Sequence, residues 1–138
     1  LGLVYGDTYL MHEDGLPYRD AYSWSIYCRS KLLDGMRIHP PRMFRRRDYN
    51  RTTGFDESMK NAVDYDFFLK LSEITTAYHL QTPLYLYRQH QQSTSNSNRA
   101  TQDNNTLRCL EQALERNGIL HRTEVMKDPS NPISQAYQ

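Results

Sequence analysis

The 138-residue sequence predicts an α/β fold with too few strands for a complete doubly wound sheet. Three features carry that reading. Strand-like apolar segments alternate along the chain with helical ones. Val63, Phe67, Leu71 and Ile74 recur at the spacing of one helix face, and Leu84-Tyr85-Leu86-Tyr87-Arg88 alternates with the period of two that a strand requires.

The elements follow in order. Residues 1–10 hold Leu-Val-Tyr and Thr-Tyr-Leu around Gly6-Asp7 and read as a strand, which Glu13-Asp14-Gly15 turns. Ser23 to Leu33, stopped by Asp34-Gly35, suits a short helix. Pro40-Pro41 forbids a helix there, so Arg42 to Arg46 is extended, and Asp48 to Thr52 forms a helical turn before Gly54. Asn61 is placed to cap a helix reaching Ile74. Tyr78-His79-Leu80 and Leu84 to Arg88 read as two strands separated by Gln81-Thr82-Pro83. Residues 89–105 are almost wholly polar and are expected to form a mobile loop, 91–105 above all. Leu107, Leu110, Leu114 and Ile119, with Gly118 as terminator, predict an amphipathic helix over Thr106 to Leu120 that covers one flank of the sheet. Residues 1–121 therefore form the folded part, and 122–138 a flexible tail or linker.

Composition narrows the partners. Lys+Arg (17) and Asp+Glu (16) nearly cancel, which argues against a general nucleic-acid binder, since phosphate-driven affinity needs a basic surface excess. Cys28 and Cys109 lie far apart, without the spacing of a zinc site or a disulfide framework, and fit a reduced, cytoplasmic setting. No apolar run approaches the roughly 20 residues of a membrane span. A strand-like run begins at once from Leu1, so a longer protein with structure upstream is expected.

The chemistry-bearing candidates cluster behind Gly54-Phe55-Asp56-Glu57. Asp64 and Asp66 open the Asn61 helix, where the helix dipole favours ionised carboxylates by about 0.3–1 kcal/mol. Residues two apart diverge by about 200° around a helix, so only one of the pair can face a cleft. Asp64-Tyr65-Asp66 is literally Asp-x-Asp, yet it opens a helix rather than leaving a buried strand, where oxygens converge on a cation. Arg42, Arg45, Arg46, Arg47 and Arg51 form the one dense basic cluster, and arginine forks match phosphate or carboxylate oxygens. His90, after the tyrosine-rich strand, has the chemistry of a metal ligand. Tyr18, Tyr22, Trp24, Tyr27, Tyr85 and Tyr87 could stack on sugar rings.

Gly54-Phe55-Asp56-Glu57, Asn61-Ala62-Val63-Asp64-Tyr65-Asp66 and Leu69-Lys70-Leu71-Ser72-Glu73, with Arg42-Met43-Phe44 before them and Tyr85 and His90 after, resemble family-2 inverting glycosyltransferases of the GT-A fold. The bacterial chondroitin and hyaluronan synthases are the nearest likeness. It is specific from Met43 to Ser95 and extends more weakly to Leu120. Many members carry Glu before the helix Asp; Val63 stands there in this chain, a departure those synthases share.

The resemblance implies a partial GT-A, Rossmann-like fold: the C-terminal, acceptor-side half, with a short mixed sheet flanked by helices. It implies that Asp64 deprotonates an acceptor hydroxyl, with Asp66 in support, and that His90 binds Mn2+ or Mg2+. Arg42 and Arg88 would face the phosphates of a nucleotide sugar, expected to be UDP-linked, and Trp24 a glycan acceptor. The remaining partner would be the missing N-terminal nucleotide-binding half, without which the piece is expected to be inactive; in the full-length protein it could lie at a membrane surface. Two other readings stand beside this one: a non-catalytic carbohydrate-binding or regulatory module on the same fold, and a structural partner domain.

Overall fold

A computed structural model describes residues 1–22, 26–88 and 99–119. The element order is β1 (Leu3–Met11), β2 (Pro17–Tyr22), a 3-10 helix (Arg29–Asp34), β3 (Arg42–Phe44), α1 (Arg46–Tyr49), α2 (Val63–Ser72), β4 (Ala77–Arg88) and α3 (Arg99–Arg116). The fold is α/β, with a small mixed sheet flanked by helices.

Strand β1 is the centre of that sheet. Its whole length pairs in parallel with β4, from Leu3 opposite Ala77 to Met11 opposite Arg88. The other edge is shared by two antiparallel strands, β3 against Leu3 to Tyr5 and β2 against Thr8 to Met11. A parallel pair needs a long crossover, and here the segment between β1 and β4 supplies it, returning through α2. Gly2 must lack a side chain: a Cβ there would lie 2.3 Å from Asp48 Oδ2 and 2.4 Å from Thr75 Oγ1.

The core lies between β1 and the helices. Leu3 and Tyr5 meet Phe67, Phe68 and Leu71 of α2, Cys109, Leu110 and Ala113 of α3, and Leu32 and Ile38. Phe44, Tyr49, Phe55 and Phe67 form an aromatic chain with centroid spacings of 4.5 to 6.0 Å, which fastens the Gly54-Phe55 turn to α2. One polar pair is buried with them: His79 Nε2 of β4 meets Asp7 Oδ1 of β1 at 2.6 Å, and the imidazole stacks on Tyr5 at 4.7 Å.

Several sequence expectations are corrected. Strand β2 was not foreseen, because Pro17 and a single short alternation gave no strand signal until the Gly15 turn folded it back on β1. Between 23 and 33 only Arg29–Asp34 is helical among the described residues, as a 3-10 turn. The helical turn near 48–52 begins earlier, at Arg46. The two strands around Pro83 are one, the proline being absorbed where the register against β1 shifts beside Asp7. Residues 99–105, expected in the mobile loop, are the first turns of α3: Ala100, Thr101 and Asn104 are exposed there, while Cys109, Leu110, Ala113 and Leu114 anchor the helix farther on. Residues 89–98 and 120–138, including most of the expected loop and the expected tail, lie outside the described residues. Gly118, at φ +68°, does end α3, with the Ile119 N–H donating to the Leu114 carbonyl.

Candidate functional site

The first turn of α2 carries the site, and its geometry starts one residue before the helix. Ala62 occupies the left-handed region (φ 62°, ψ 15°), an unusual place for a side chain with a Cβ. Asn61, expected to cap the helix through its side chain, does not: Ala62 is the N-cap and no side-chain cap bond forms. The turn is held from α3 instead. Asn105 Nδ2 donates to the Asn61 carbonyl at 3.1 Å, and the Cys109 thiol lies 3.8 Å from the Ala62 carbonyl. Burial, with Asp66 nearby, pushes that thiol up to about 12, so it stays protonated and acts as a small packing group.

The two acids leave this turn in different directions, as a 200° divergence requires. The Asp64 side chain is 47% exposed. Its Oδ2 accepts from Arg42 NH2 at 2.8 Å, and its Oδ1 accepts the Tyr65 backbone N–H at 2.9 Å. Asp66 is fully buried, and Lys70 Nζ approaches its Oδ2 at 2.6 Å, an ion pair rather than an aligned hydrogen bond. Lys70 also donates to the Gly54 carbonyl at 3.3 Å. Asp66 is thereby enclosed with a partner that ties α2 to the glycine turn, and has no open face toward a substrate.

Arg42 is drawn to Asp64 by three surroundings. It sits in β3 opposite Tyr5, its NH1 donates to the Ile38 carbonyl at 2.9 Å, and its guanidinium lies 4.8 Å from the centre of the Phe68 ring. His39 adjoins the pair and was not singled out in the sequence; a histidine beside two prolines carries no motif. Burial, reinforced by the Arg42 charge and opposed by Asp64, lowers its pKa from 6.5 to about 4, so it is neutral near pH 7.

The Gly54 turn is built for shape. Gly54 has φ +70°, and a Cβ there would meet the Tyr49 hydroxyl at 2.8 Å. Asp56 accepts both the Ser58 backbone N–H (2.9 Å) and the Ser58 hydroxyl (2.6 Å), and these bonds hold its carboxyl below the usual range.

The predicted site residues are brought together only in part. Arg42 and Asp64 meet. Arg88 ends β4 opposite Met11, six residues along β1 from the Tyr5–Arg42 pairing, about 20 Å at a strand's rise. His90 and Trp24 lie outside the described residues. Among the described residues no group of three His, Cys, Asp or Glu side chains could hold a metal ion, and Asp64 and Asp66 are engaged by Arg42 and Lys70. Among the described residues no helix is long and apolar enough to cross a membrane. A cavity of about 320 Å3 between the 3-10 helix, α2 and α3 is lined by Leu33, Leu69, Ala113 and Ile119 with Arg29 and Glu73, and by none of the predicted site residues.

No family model matches the chain. Among curated proteins it is 38% identical over 119 residues to chondroitin synthase of Escherichia coli, covering 86% of this chain and 17% of that protein. It is 38% identical over 119 residues to chondroitin synthase of Pasteurella multocida (strain Pm70), covering 86% and 12%, and 37% identical over 121 residues to hyaluronan synthase of Pasteurella multocida, covering 88% and 12%. Over most of its length, then, the chain resembles one segment of bacterial chondroitin and hyaluronan synthases, and it spans 12–17% of their length.

Proposed function

We propose that this chain is the acceptor-side part of a glycosyltransferase that extends a glycan from a nucleotide sugar, with Asp64 as the base. The observation that carries the reading is the half-exposed Asp64 carboxylate on a buried helix, fixed by Arg42, in a chain similar to polysaccharide synthases. In this reaction Asp64 takes the proton of the acceptor hydroxyl as its oxygen forms the bond to the anomeric carbon. The bond from that carbon to the nucleoside diphosphate breaks, and the diphosphate leaves with the electron pair. One carboxylate and a single displacement invert the anomeric centre.

Binding of the nucleotide sugar, taken to be UDP-linked, and of the divalent cation is assigned to residues outside this chain together with His90. The chain alone is proposed to be inactive and the full-length protein active on the cytoplasmic side. The test is incubation of the full-length protein with labelled UDP-sugars and glycan oligosaccharides, with the anomeric configuration of the product read by NMR. Transfer with inversion supports the assignment. Retention of configuration refutes the single-displacement chemistry, and saturable glycan binding without transfer favours a binding module.

A further inference from the structure

We propose that Arg42 is a positioning residue, which fixes the Asp64 carboxylate toward the acceptor rather than binding the donor phosphates; this rests on Asp64 being the base. Both arms of the guanidinium are spent inside the protein: NH2 on Asp64 Oδ2 at 2.8 Å and NH1 on the Ile38 carbonyl at 2.9 Å, with the plane resting over Phe68 at 4.8 Å. The mount thus joins three parts of the fold, β3, the segment before Pro40-Pro41 and α2. Each moves only if the core that holds Ile38 and Phe68 moves.

The exposures fit the division of labour. The Arg42 side chain is 23% exposed and the Asp64 side chain 47%, so the arginine lies behind the carboxylate and leaves it open to solvent. The remaining Asp64 oxygen accepts the Tyr65 N–H, which fixes the plane of the carboxylate from a second direction. The charges around the pair favour the same arrangement. His39 is buried beside it, and burial together with the Arg42 charge keeps the imidazole neutral near pH 7, so it adds no second positive charge next to the carboxylate. A guanidinium in this setting acts as a two-armed bracket, which the point charge of a lysine reproduces only in part.

The proposal separates two kinetic outcomes. A residue that positions the base changes the rate of the bound complex, because a displacement of about 1 Å in a reacting group costs on the order of 100-fold. A residue that holds the donor changes the donor KM. In the full-length protein, Arg42→Ala is expected to lower kcat roughly 10- to 100-fold while donor and acceptor KM stay within about threefold. Arg42→Lys is expected to recover part of the loss, and it carries the test if circular dichroism shows Arg42→Ala unfolded. In Arg42→Ala/Asp64→Asn the rate should equal that of Asp64→Asn alone, because Arg42 acts through that carboxylate.

Native kcat in Arg42→Ala, a raised donor KM with kcat unchanged, or a double variant slower than Asp64→Asn by the full Arg42→Ala factor would each overturn the positioning role. The two levels separate cleanly. Asp64→Asn transferring at the native rate removes the base, and this proposal with it. An inactive Asp64→Asn beside a fully active Arg42→Ala removes the positioning role alone.

Discussion

Replacing Lys70 with methionine strands the most deeply buried charge described in this chain. Asp66 has no exposed surface, the Lys70 side chain is 15% exposed, and their atoms approach to 2.6 Å. Removing one partner of such a pair leaves an uncompensated ion and costs about 3–5 kcal/mol, against a total stability of about 5–15 kcal/mol for a domain. Lys70→Met also removes the 3.3 Å bond to the Gly54 carbonyl, which adds to the loss. The companion variant Lys70→Met/Asp66→Leu removes both charges, and exchange of a buried pair for apolar side chains is often neutral. It should therefore regain at least about 2 kcal/mol, less the roughly 0.3–1 kcal/mol that an acid contributes in the first turn of a helix. Urea unfolding at pH 7, followed by circular dichroism at 222 nm, measures both. A loss under about 1 kcal/mol in Lys70→Met, or a double variant less stable than the single, would refute the structural role assigned to Asp66.

Three further outcomes are expected. The folded pKa of His39 lies near 4 and the unfolded value near 6.5, so the unfolded chain binds the proton first and stability falls as pH drops from 6.5 toward 4. The full displacement is worth about 3 kcal/mol; between pH 7 and 4.5, His39→Gln should lose about 2 kcal/mol less than the native chain in urea titrations, and equal losses would contradict burial as the cause. Ala62→Gly relieves the left-handed Ala62 backbone and should raise stability by about 0.5 kcal/mol, the strain removed being partly offset by glycine's entropy; a loss above about 1 kcal/mol in the melting profile would show that the turn is not strained. Gly54→Ala meets both φ +70° and the Tyr49 hydroxyl, so thermal unfolding should report a loss of at least about 1–2 kcal/mol, and an unchanged midpoint would mean that the turn adapts.

What the sequence made legible follows from which signals are local. The period of Val63, Phe67 and Leu71 places the helix that carries both acids, and the 200° rule separates Asp64 from Asp66 without coordinates. Pro40-Pro41 and Gly118 mark an extended segment and a helix end because their backbone restrictions act within a residue or two. Pairing is not local. That Arg42 meets Asp64, 22 positions away, depends on β3 lying beside β1 and α2 crossing behind it. The buried Asp7–His79 pair likewise exists only once β1 and β4 run parallel. The Asn61 cap failed for the same reason: α3 takes hold of the Asn61 and Ala62 carbonyls, and that tertiary contact overrides the local capping preference. The first turns of α3 were hidden because polar composition alone does not distinguish a loop from the exposed start of a helix anchored farther along.

The most direct measurement is the single-turnover rate of sugar transfer by the full-length protein with Asp64→Asn, set beside Asp66→Asn in a form shown by circular dichroism to be folded. Loss of the base should slow the chemical step at least about 100-fold with nucleotide binding retained, while Asp66→Asn, acting from the interior, should keep its rate within about tenfold and lose stability instead. Transfer at the native rate by Asp64→Asn, or an equal collapse of the chemical step in a folded Asp66→Asn, would contradict the account.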